Sequence, residues 1–234
     1  MPALDEAEAL PQVFAALATQ PDLHEIVVVD NGSRDATPDL ARAAGATVLH
    51  EPQRGYGAAC LRALAYLEAA PPDVVVFMDA DGSDDPADLP ALLAPVLSGA
   101  ADLVIGSRAR GAREAGALLP QARFGNWLAC GLIRARWGHR YTDLGPFRTV
   151  HWPALRRLAM RDRDFGWTVE MQVRALQCGL RVAEVPVRYR RRIGRSKISG
   201  TVVGSLRAGT TILATLWRLR NPVPQRPFRT GSDR

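Results

Sequence analysis

Three short stretches of the sequence carry side chains whose types and spacing could do chemistry. In the first, Asp79 and Asp81 follow an apolar run at 74–78. Residues i and i+2 of an extended chain point to the same side, so both carboxylates can converge on one ion. Two such oxygen ligands suit Mg²⁺ or Mn²⁺, which take further ligands from water and phosphate. The alternative is that Asp79 and Asp81 cap the next helix. Asp85 already fills that role, and two neighbouring acids without a cation would repel each other.

The second stretch, Asp30-Asn31-Gly32-Ser33, follows an apolar run at 26–29 in the same way. Asp30 could accept a hydrogen bond from a nucleobase or a ribose hydroxyl, and a glycine permits a tight turn close to a ligand. Asn, Gly and Ser also form ordinary turns, which is the better interpretation of this stretch alone. Ligands of α/β sheets bind beyond the carboxyl ends of the strands, however, so the two stretches together favour a binding site.

The third stretch is basic and covers 188–197, where Arg192, Arg195 and Lys197 surround a glycine. Clustered positive charge of this kind suits an anionic ligand, such as a nucleotide or a phosphorylated substrate. The alternative is a solvated run or one that binds nucleic acid. Because Tyr189 is the only aromatic residue in the run and binding of single strands uses several, no nucleic-acid partner is expected.

Asp143 and Glu170 are the candidates for a catalytic base. A hydroxyl acceptor must lose a proton during attack, whereas a phosphate monoester is already ionised and needs no base. Asp143 precedes a turn at 145–148 that could form one wall of an acceptor site, and Glu170 follows Trp167 on a predicted helix. A turn-stabilising aspartate and a surface glutamate are the structural alternatives, and Trp167 could stack on a sugar or belong to the core.

A sheet must position these residues, and the first two-thirds of the chain predicts one. Short apolar runs alternate with helical patterns, which is typical of stacked β-α units. The predicted strands are 26–29, 47–49, 74–78 and 103–105, followed later by 182–189. Asp5 and Glu8 have capping-box spacing before the first helix. The prediction is a Rossmann-like α/β sandwich whose opening strand, at Met1-Pro2-Ala3, is missing or truncated.

A helix predicted at 202–219 is amphipathic, with Val202, Leu206, Leu213 and Trp217 on one face. It could lie on a membrane interface. It could also pack against the domain, or against a second subunit in a homo-oligomer.

Composition narrows the class of protein. The chain has 234 residues, 47% hydrophobic and 23% charged, which predicts one well-cored domain. We expect it to cover 1–220, with the polar, proline-containing residues 221–234 disordered. The net charge of +6 predicts an anionic partner. The three cysteines are far apart in the sequence, which favours neither a disulfide framework nor a zinc site. The sequence shows no secretion signal and no apolar run of about 18 residues that would span a bilayer. We therefore expect a cytoplasmic protein, at most peripheral to the membrane.

Several motifs in order resemble family 2 glycosyltransferases, in particular the dolichol-phosphate mannosyltransferase and polyprenyl-phosphate glycosyltransferase branch. They lie at 27–33, 54–57, 78–82, 143–148, 184–187 and 192–197. The resemblance runs from about residue 2 to about residue 215. It implies an A-type glycosyltransferase fold, a UDP- or GDP-sugar as donor, and inverting transfer of a hexose.

The resemblance also implies roles for individual residues. The nucleotide-sugar site would consist of Pro2, Ala3, Glu6, Asp30, Asn31, Gly57, Asp79, Arg192, Arg195 and Lys197. Asp81 would be the direct metal ligand and Asp79 its partner on the nucleotide side, with Mg²⁺ or Mn²⁺ as the ion. The third metal ligand stays open, as do the sugar and the acceptor, for which a lipid phosphate at the membrane surface is one candidate.

Two other classes remain as alternatives. A sugar-nucleotide-forming nucleotidyltransferase would share the general fold and the metal chemistry. That class has an early Gly-rich loop followed by basic residues, whereas the first twenty residues here contain no Gly, Lys or Arg. A basic nucleic-acid-binding protein would instead show strongly salt-dependent binding to RNA.

Overall fold

A computed structural model describes residues 1–194 and 202–221 of the chain. The strands are β1 (Pro2–Ala3), β2 (Val27–Asp30), β3 (Thr47–His50), β4 (Val74–Phe77), β5 (Leu103–Ser107), β6 (Arg148–His151) and β7 (Val182–Pro186). The helices are α1 (Leu10–Leu17), α2 (Thr37–Ala43), α3 (Tyr56–Leu67), α4 (Leu89–Leu97), α5 (Pro120–Trp137), α6 (Trp152–Leu158), α7 (Trp167–Gln177) and α8 (Val202–Arg218). Each predicted apolar run forms a strand, which confirms the α/β prediction.

The strands form two hydrogen-bonded sheets flanked by helices. In the first, β1, β2 and β3 run parallel, and β1 pairs with β2 at Pro2↔Val29 and Ala3↔Asp30. In the second, the order is β4-β6-β5-β7, with β6 antiparallel to both neighbours and β7 parallel to β5. An opening strand is therefore present, and it contains two residues.

The starts of two helices test the capping predictions. Asp85 accepts a hydrogen bond from the Ala87 amide at 3.1 Å and opens a 3-10 turn before α4, as predicted. The capping box is wrong, because α1 begins at Leu10 after an Ala9 that makes no side-chain cap. Asp5 has a positive φ of 50°, and its carboxylate accepts from the Arg34 amide at 2.7 Å, so it stabilises the turn before α2.

The largest buried side chain, Trp167, belongs to the core. It is 1% exposed and meets the Phe77 ring edge to face, with 6.0 Å between ring centroids. This outcome follows from the large apolar area that an indole removes from water when it packs between a sheet and a helix. Cys60, Cys130 and Cys178 are free thiols, consistent with the absence of a disulfide framework.

Helix α8 packs against α5 and α7, with Leu216 and Leu219 buried. Its predicted apolar face is instead exposed where its side chains are described, at Leu213 (44%) and Trp217 (69%). The alternative of packing against the domain is thus observed, through a different face. No helix in 1–194 or 202–221 is long and apolar enough to cross a bilayer. The predicted tail after residue 221 lies outside the described residues.

Candidate functional site

Three carboxylates gather after β4. Gly82, with φ of 75°, turns the chain so that Asp84 returns to the end of the strand and accepts from the Asp79 amide at 3.2 Å. Asp81 accepts from the Ser83 amide at 2.9 Å. Asp81 and Asp84 are buried, and Oδ1 of Asp84 has no hydrogen-bond partner among the described residues. Asp84 is a site residue that the motif Asp-x-Asp did not reveal, although it stands only three positions further on.

The electrostatics of this cluster are unfavourable without a counter-charge. Burial, followed by the charge of Asp81, raises the pKa of Asp79 to about 7. Burial, followed by the charges of Asp79 and Asp81, raises the pKa of Asp84 well above its ordinary value. At neutral pH the cluster therefore retains protons that a cation could replace.

The donor set fits a hard divalent cation in part. In the described parts of the chain no three His, Cys, Asp or Glu side chains are already arranged as a metal-binding group. The orphaned carboxylate oxygen of Asp84 and the excess of buried acid nevertheless suit Mg²⁺ or Mn²⁺, which bind one or two carboxylates and keep places for water and phosphate oxygens. A nucleotide diphosphate would complete such a site.

The basic loop meets this cluster, as predicted for Arg192. Its guanidinium donates to Oε1 of Glu6 at 2.9 Å and lies 3.4 Å from Oδ2 of Asp81. The Ile193 amide donates to the Asp81 carbonyl at 2.9 Å. Residues after β1, after β4 and from the loop after β7 are thus joined at one place. Arg195 and Lys197 lie outside the described residues.

Two further arginines in the described part of the loop are paired with carboxylates of the chain. Arg188 pairs with Asp88 at 2.7 Å, and Arg190 pairs with Asp85 at 2.6 Å. Arginines held in this way are poorly placed to bind a polyanion, which removes support from the nucleic-acid alternative.

Asp30 and Asn31 have different environments although they are neighbours. Asp30 is 6% exposed, accepts from the Ser33 amide at 3.0 Å and lies 3.3 Å from Nδ1 of His50. Burial opposes its ionisation, but hydrogen bonds with Ser33, His50 and the backbone of Gly32 together outweigh burial and lower its pKa. Asn31 donates to the carbonyls of Glu51 and Gln53 and accepts from the amide of residue 55 at 2.8 Å. Asp30 is therefore a carboxylate at the sheet edge, while Asn31 holds the 51–55 loop.

Gly57 provides a close approach between two segments. A Cβ at this position would lie 2.0 Å from the carbonyl oxygen of Asp162, so any other residue would force the two segments of the chain apart. The neighbouring Ala58 amide donates to the Arg163 carbonyl at 2.9 Å. The glycine thus packs the start of α3 onto the 161–164 loop.

Glu170 holds that same loop from the other side. It is 1% exposed, and its Oε2 accepts from the amides of Arg161 and Asp162 at 2.9 and 2.6 Å. Its Oε1 accepts from Arg174 at 2.8 Å. The structure does not bring Glu170 to a surface that an acceptor could reach, which favours a positioning role over a base.

Asp143 is buried completely and paired with Arg108, which donates to it through Nε and Nη2 at 2.8 Å and through its amide at 2.7 Å. Burial alone would raise the pKa of Asp143, but Arg108 outweighs it and lowers the pKa. A low pKa and a full set of hydrogen bonds make a poor base. Arg108 was not predicted, although it directly follows β5, as Asp30 ends β2.

A separate depression of about 490 Å³ lies beside α5. Its lining includes Arg113, Arg123, Arg134, Arg140, Trp127 and Thr142, the neighbour of Asp143. Phe124 and Trp127 are 61% and 68% exposed, and their ring centroids are 5.8 Å apart. They stand on the face of α5 opposite the buried Ile133. This surface combines cationic and aromatic groups.

The raised pKa values of Asp79 and Asp84 predict that the stability of the protein depends on pH. The raised pKa values mean that the folded state binds more protons than the unfolded state between about pH 4 and pH 7. Stability of the metal-free protein should therefore fall across that window, by about 3–6 °C in Tm. Thermal melts at several pH values measure this. Added Mn²⁺ should raise Tm more at high pH than at low pH. Asp79→Asn should weaken both the fall of the metal-free Tm with pH and the dependence of the Mn²⁺ effect on pH. A metal-free Tm that stays constant or rises from about pH 4 to pH 7 would contradict the account.

Comparisons with known proteins identify a family model, relatives and a solved structure that are similar to this chain. A family model described as glycosyl transferase family 2 matches residues 1–161. An uncharacterised glycosyltransferase of Mycobacterium tuberculosis is 40% identical over 208 residues, which cover 88% of this chain and 91% of the relative. The undecaprenyl-phosphate mannosyltransferase of Micrococcus luteus is 33% identical over 234 residues, covering 94% and 92%. A crystal structure of glucosyl-3-phosphoglycerate synthase from Mycobacterium tuberculosis, in complex with Mn²⁺ and UDP-glucose, matches with a TM-score of 0.72 at 25% identity, covering 96% and 78%.

Proposed function

Because the chain belongs to glycosyltransferase family 2, we propose that it moves a hexose, with inversion, from a UDP- or GDP-sugar to a polyprenyl phosphate, using Mg²⁺ or Mn²⁺. Its fold is the A-type glycosyltransferase fold, and sugar transfer is its class of activity. Family membership sets aside the nucleotidyltransferase alternative. The observation that carries the proposal is the carboxylate cluster of Asp79, Asp81 and Asp84 beside Arg192.

In the proposed reaction an acceptor oxygen attacks the anomeric carbon as the bond from that carbon to the diphosphate oxygen breaks. Asp81 and Asp84, with Asp79, would hold a cation that neutralises the charge gathering on the leaving diphosphate. Arg192 stands beside them and can contribute its own charge to the diphosphate. Asp30, at the end of β2, and Glu6, three residues after β1, would bind the nucleoside.

We propose a phosphate acceptor because neither of the two predicted bases is available to take up a proton. Asp143 and Glu170 are both buried in ion pairs with arginine, at 2.8 Å in each case. A hydroxyl acceptor would require a proton to be removed, whereas a phosphate oxygen is already ionised near neutral pH. The Micrococcus luteus relative, named as an undecaprenyl-phosphate mannosyltransferase, supports the same acceptor class.

The depression beside α5 is the proposed entrance for that acceptor. Arginines there suit a phosphate, and exposed Phe124 and Trp127 suit the interface of a bilayer, where aromatic rings sit at the level of the headgroups. We place the enzyme at the inner face of the membrane as a peripheral protein. Anionic lipids would add to the attraction for its basic surface.

Replacing both Arg123 and Arg134 with alanine is expected to raise the KM for polyprenyl phosphate by up to about 100-fold, since each charge-assisted contact contributes roughly 1.4 kcal/mol. The KM for the sugar nucleotide should change little. Arg136→Ala is the matched control, because it removes a cation from the same helix outside the depression. Equal effects of the control and the double variant would contradict this placement of the acceptor.

A transfer assay tests the function as a whole. The protein is incubated with radiolabelled UDP-glucose or GDP-mannose, Mn²⁺, and vesicles with or without undecaprenyl phosphate; parallel reactions contain 3-phosphoglycerate. We expect labelled sugar in the lipid fraction only when the lipid phosphate is present. Transfer to 3-phosphoglycerate alone would refute the lipid acceptor, and no transfer from any sugar nucleotide would refute the function.

A further inference from the structure

Asp162 lies where the 161–164 loop meets helix α8. Its side chain is buried, and its Oδ2 accepts from the guanidinium of Arg218 at 2.7 Å and from the hydroxyl of Thr215 at 3.2 Å. Its Oδ1 accepts from the amide of Asp164 at 2.9 Å, within the same loop. One carboxylate therefore joins α8 to the loop and also fixes the shape of the loop.

Gly166 shows how closely the loop and α8 approach each other. A Cβ at this position would overlap both Oδ2 of Asp162 and Oγ1 of Thr215. Only a glycine leaves room for this carboxylate and this hydroxyl to meet. Thr215 is 2% exposed, so the hydrogen bond is made away from solvent, where a lost partner is costly. The contact between α8 and the 161–164 loop is therefore specific as well as close.

The 161–164 loop also holds the start of α3. The carbonyl of Arg163 accepts from the Ala58 amide at 2.9 Å. That amide belongs to the first turn of α3, where a helix leaves its amides without an internal partner. The guanidinium of Arg163 donates to Oε1 of Gln53 at 2.8 Å. The loop thus supports both the 51–55 loop and the helix that follows it.

The 51–55 loop reaches the end of β2. The Gln53 carbonyl accepts from the side-chain amide of Asn31 at 2.8 Å, and the Gly55 amide donates to Oδ1 of Asn31 at 2.8 Å. Asn31 directly follows Asp30, the proposed nucleoside ligand. A set of hydrogen bonds therefore connects α8 with the neighbour of Asp30 by way of the two loops.

We propose that Asp162 is a positioning residue for the sugar-nucleotide site, because it holds the 161–164 loop against α8 and thereby keeps the 51–55 loop in place. The inference rests on the proposed function, which assigns the end of β2 to the nucleoside. The carboxylate is bound by α8 and by its own loop, so it acts on the site only through the two loops. A site that is ordered for part of the time binds its ligand more weakly by that fraction. Loss of Asp162 therefore weakens binding of the sugar nucleotide and leaves the chemical step unchanged.

Asp162→Ala is expected to raise the Kd for the sugar nucleotide about tenfold, the order expected for one buried hydrogen bond, with kcat within about threefold of the parent. Asp162→Asn keeps an oxygen that can accept from Thr215, so it should recover most of the affinity. Asp102→Ala is the matched control, since that carboxylate also pairs with an arginine, Arg181 at 2.7 Å, and accepts its backbone amide, just before β5. Its Kd should equal that of the parent. Calorimetric titration with UDP-glucose and GDP-mannose in the presence of Mn²⁺ measures the affinities.

The contribution of α8 is tested by a double-mutant cycle. Thr215→Val removes the hydroxyl that donates to Asp162 and keeps the shape of the side chain. It should raise the Kd in the same direction. Combined with Asp162→Ala it should have no further effect, because both changes remove the same contact. Additive effects of the two changes would overturn the role of α8.

Amide exchange tests the coupling without any nucleotide. In Asp162→Ala the amide of Ala58 should exchange at least about tenfold faster than in Asp102→Ala, because the Arg163 carbonyl is no longer held in place. Unchanged exchange would overturn the proposal. Faster exchange with an unchanged Kd would show that Asp162 supports only the fold, and would overturn it as well. Failure of the proposed function looks different, since the parent protein itself would then bind neither sugar nucleotide.

Discussion

Replacing Asp81 with asparagine is expected to lower kcat/KM for sugar transfer by on the order of 1000-fold, because the variant loses a carboxylate that would hold the cation at the leaving diphosphate. The side chain keeps its shape and can still accept from the Ser83 amide, which it now binds at 2.9 Å. The fold should therefore persist. Initial rates at saturating Mn²⁺ measure the loss of activity, and the thermal midpoint of the same preparation shows whether the fold persists.

Asp88→Asn is the matched control for this variant. It makes the same chemical change seven positions further on, where the carboxylate pairs with Arg188 at 2.7 Å outside the cluster. Its rate should stay within about threefold of the parent, since exposed ion pairs contribute little. An Asp81→Asn protein as active as Asp88→Asn would remove Asp81 from the set of metal ligands.

Arg108→Ala is expected to destabilise the fold by about 3–5 kcal/mol, because it leaves the carboxylate of Asp143 buried without its counter-charge. The lost contacts are two side-chain hydrogen bonds at 2.8 Å, which join Arg108 to Asp143 just ahead of the 145–148 turn. Urea unfolding followed by circular dichroism measures the change.

The double variant Arg108→Leu with Asp143→Leu distinguishes a buried pair from a catalytic base. Removing both charges should restore much of the stability lost by Arg108→Ala, since apolar groups of similar size often replace a buried pair at little cost. Asp143→Asn tests the other role. If Asp143 were a base, this replacement would remove the acidic limb of the pH profile of kcat. If Asp143 is a positioning residue, as we expect, the shape of the profile should stay unchanged.

The positions of the predicted site residues followed from strands that were visible in the sequence. Runs of Val and Ile at 26–29 and 74–78 identify two strands, and the sequence predicts a site residue at the carboxyl end of each. The structure has Asp30 at the end of β2 in the first sheet and Asp81 just after β4 in the second. The family resemblance predicted Arg192 in the site, and the structure has it 3.4 Å from Asp81.

The errors arose where long-range contacts override local patterns. Asp5 and Glu8 have the spacing of a capping box, but a left-handed turn at Asp5 directs its carboxylate to another segment. Glu170 has the sequence context of a surface glutamate, but the 161–164 loop packs over it and donates two backbone amides to its carboxylate. Asp84 returns to the cluster because Gly82 turns the chain, which spacing alone does not indicate.

Metal-dependent binding of a sugar nucleotide tests the central claim most directly. Calorimetric titration of the protein with UDP-glucose and GDP-mannose, with and without Mn²⁺, should give binding of one of them that requires the ion. Asp81→Asn should lose that requirement together with most of the affinity, while Asp88→Asn should keep both. Binding that is equally tight without a divalent cation, or no binding of either nucleotide, would contradict the account.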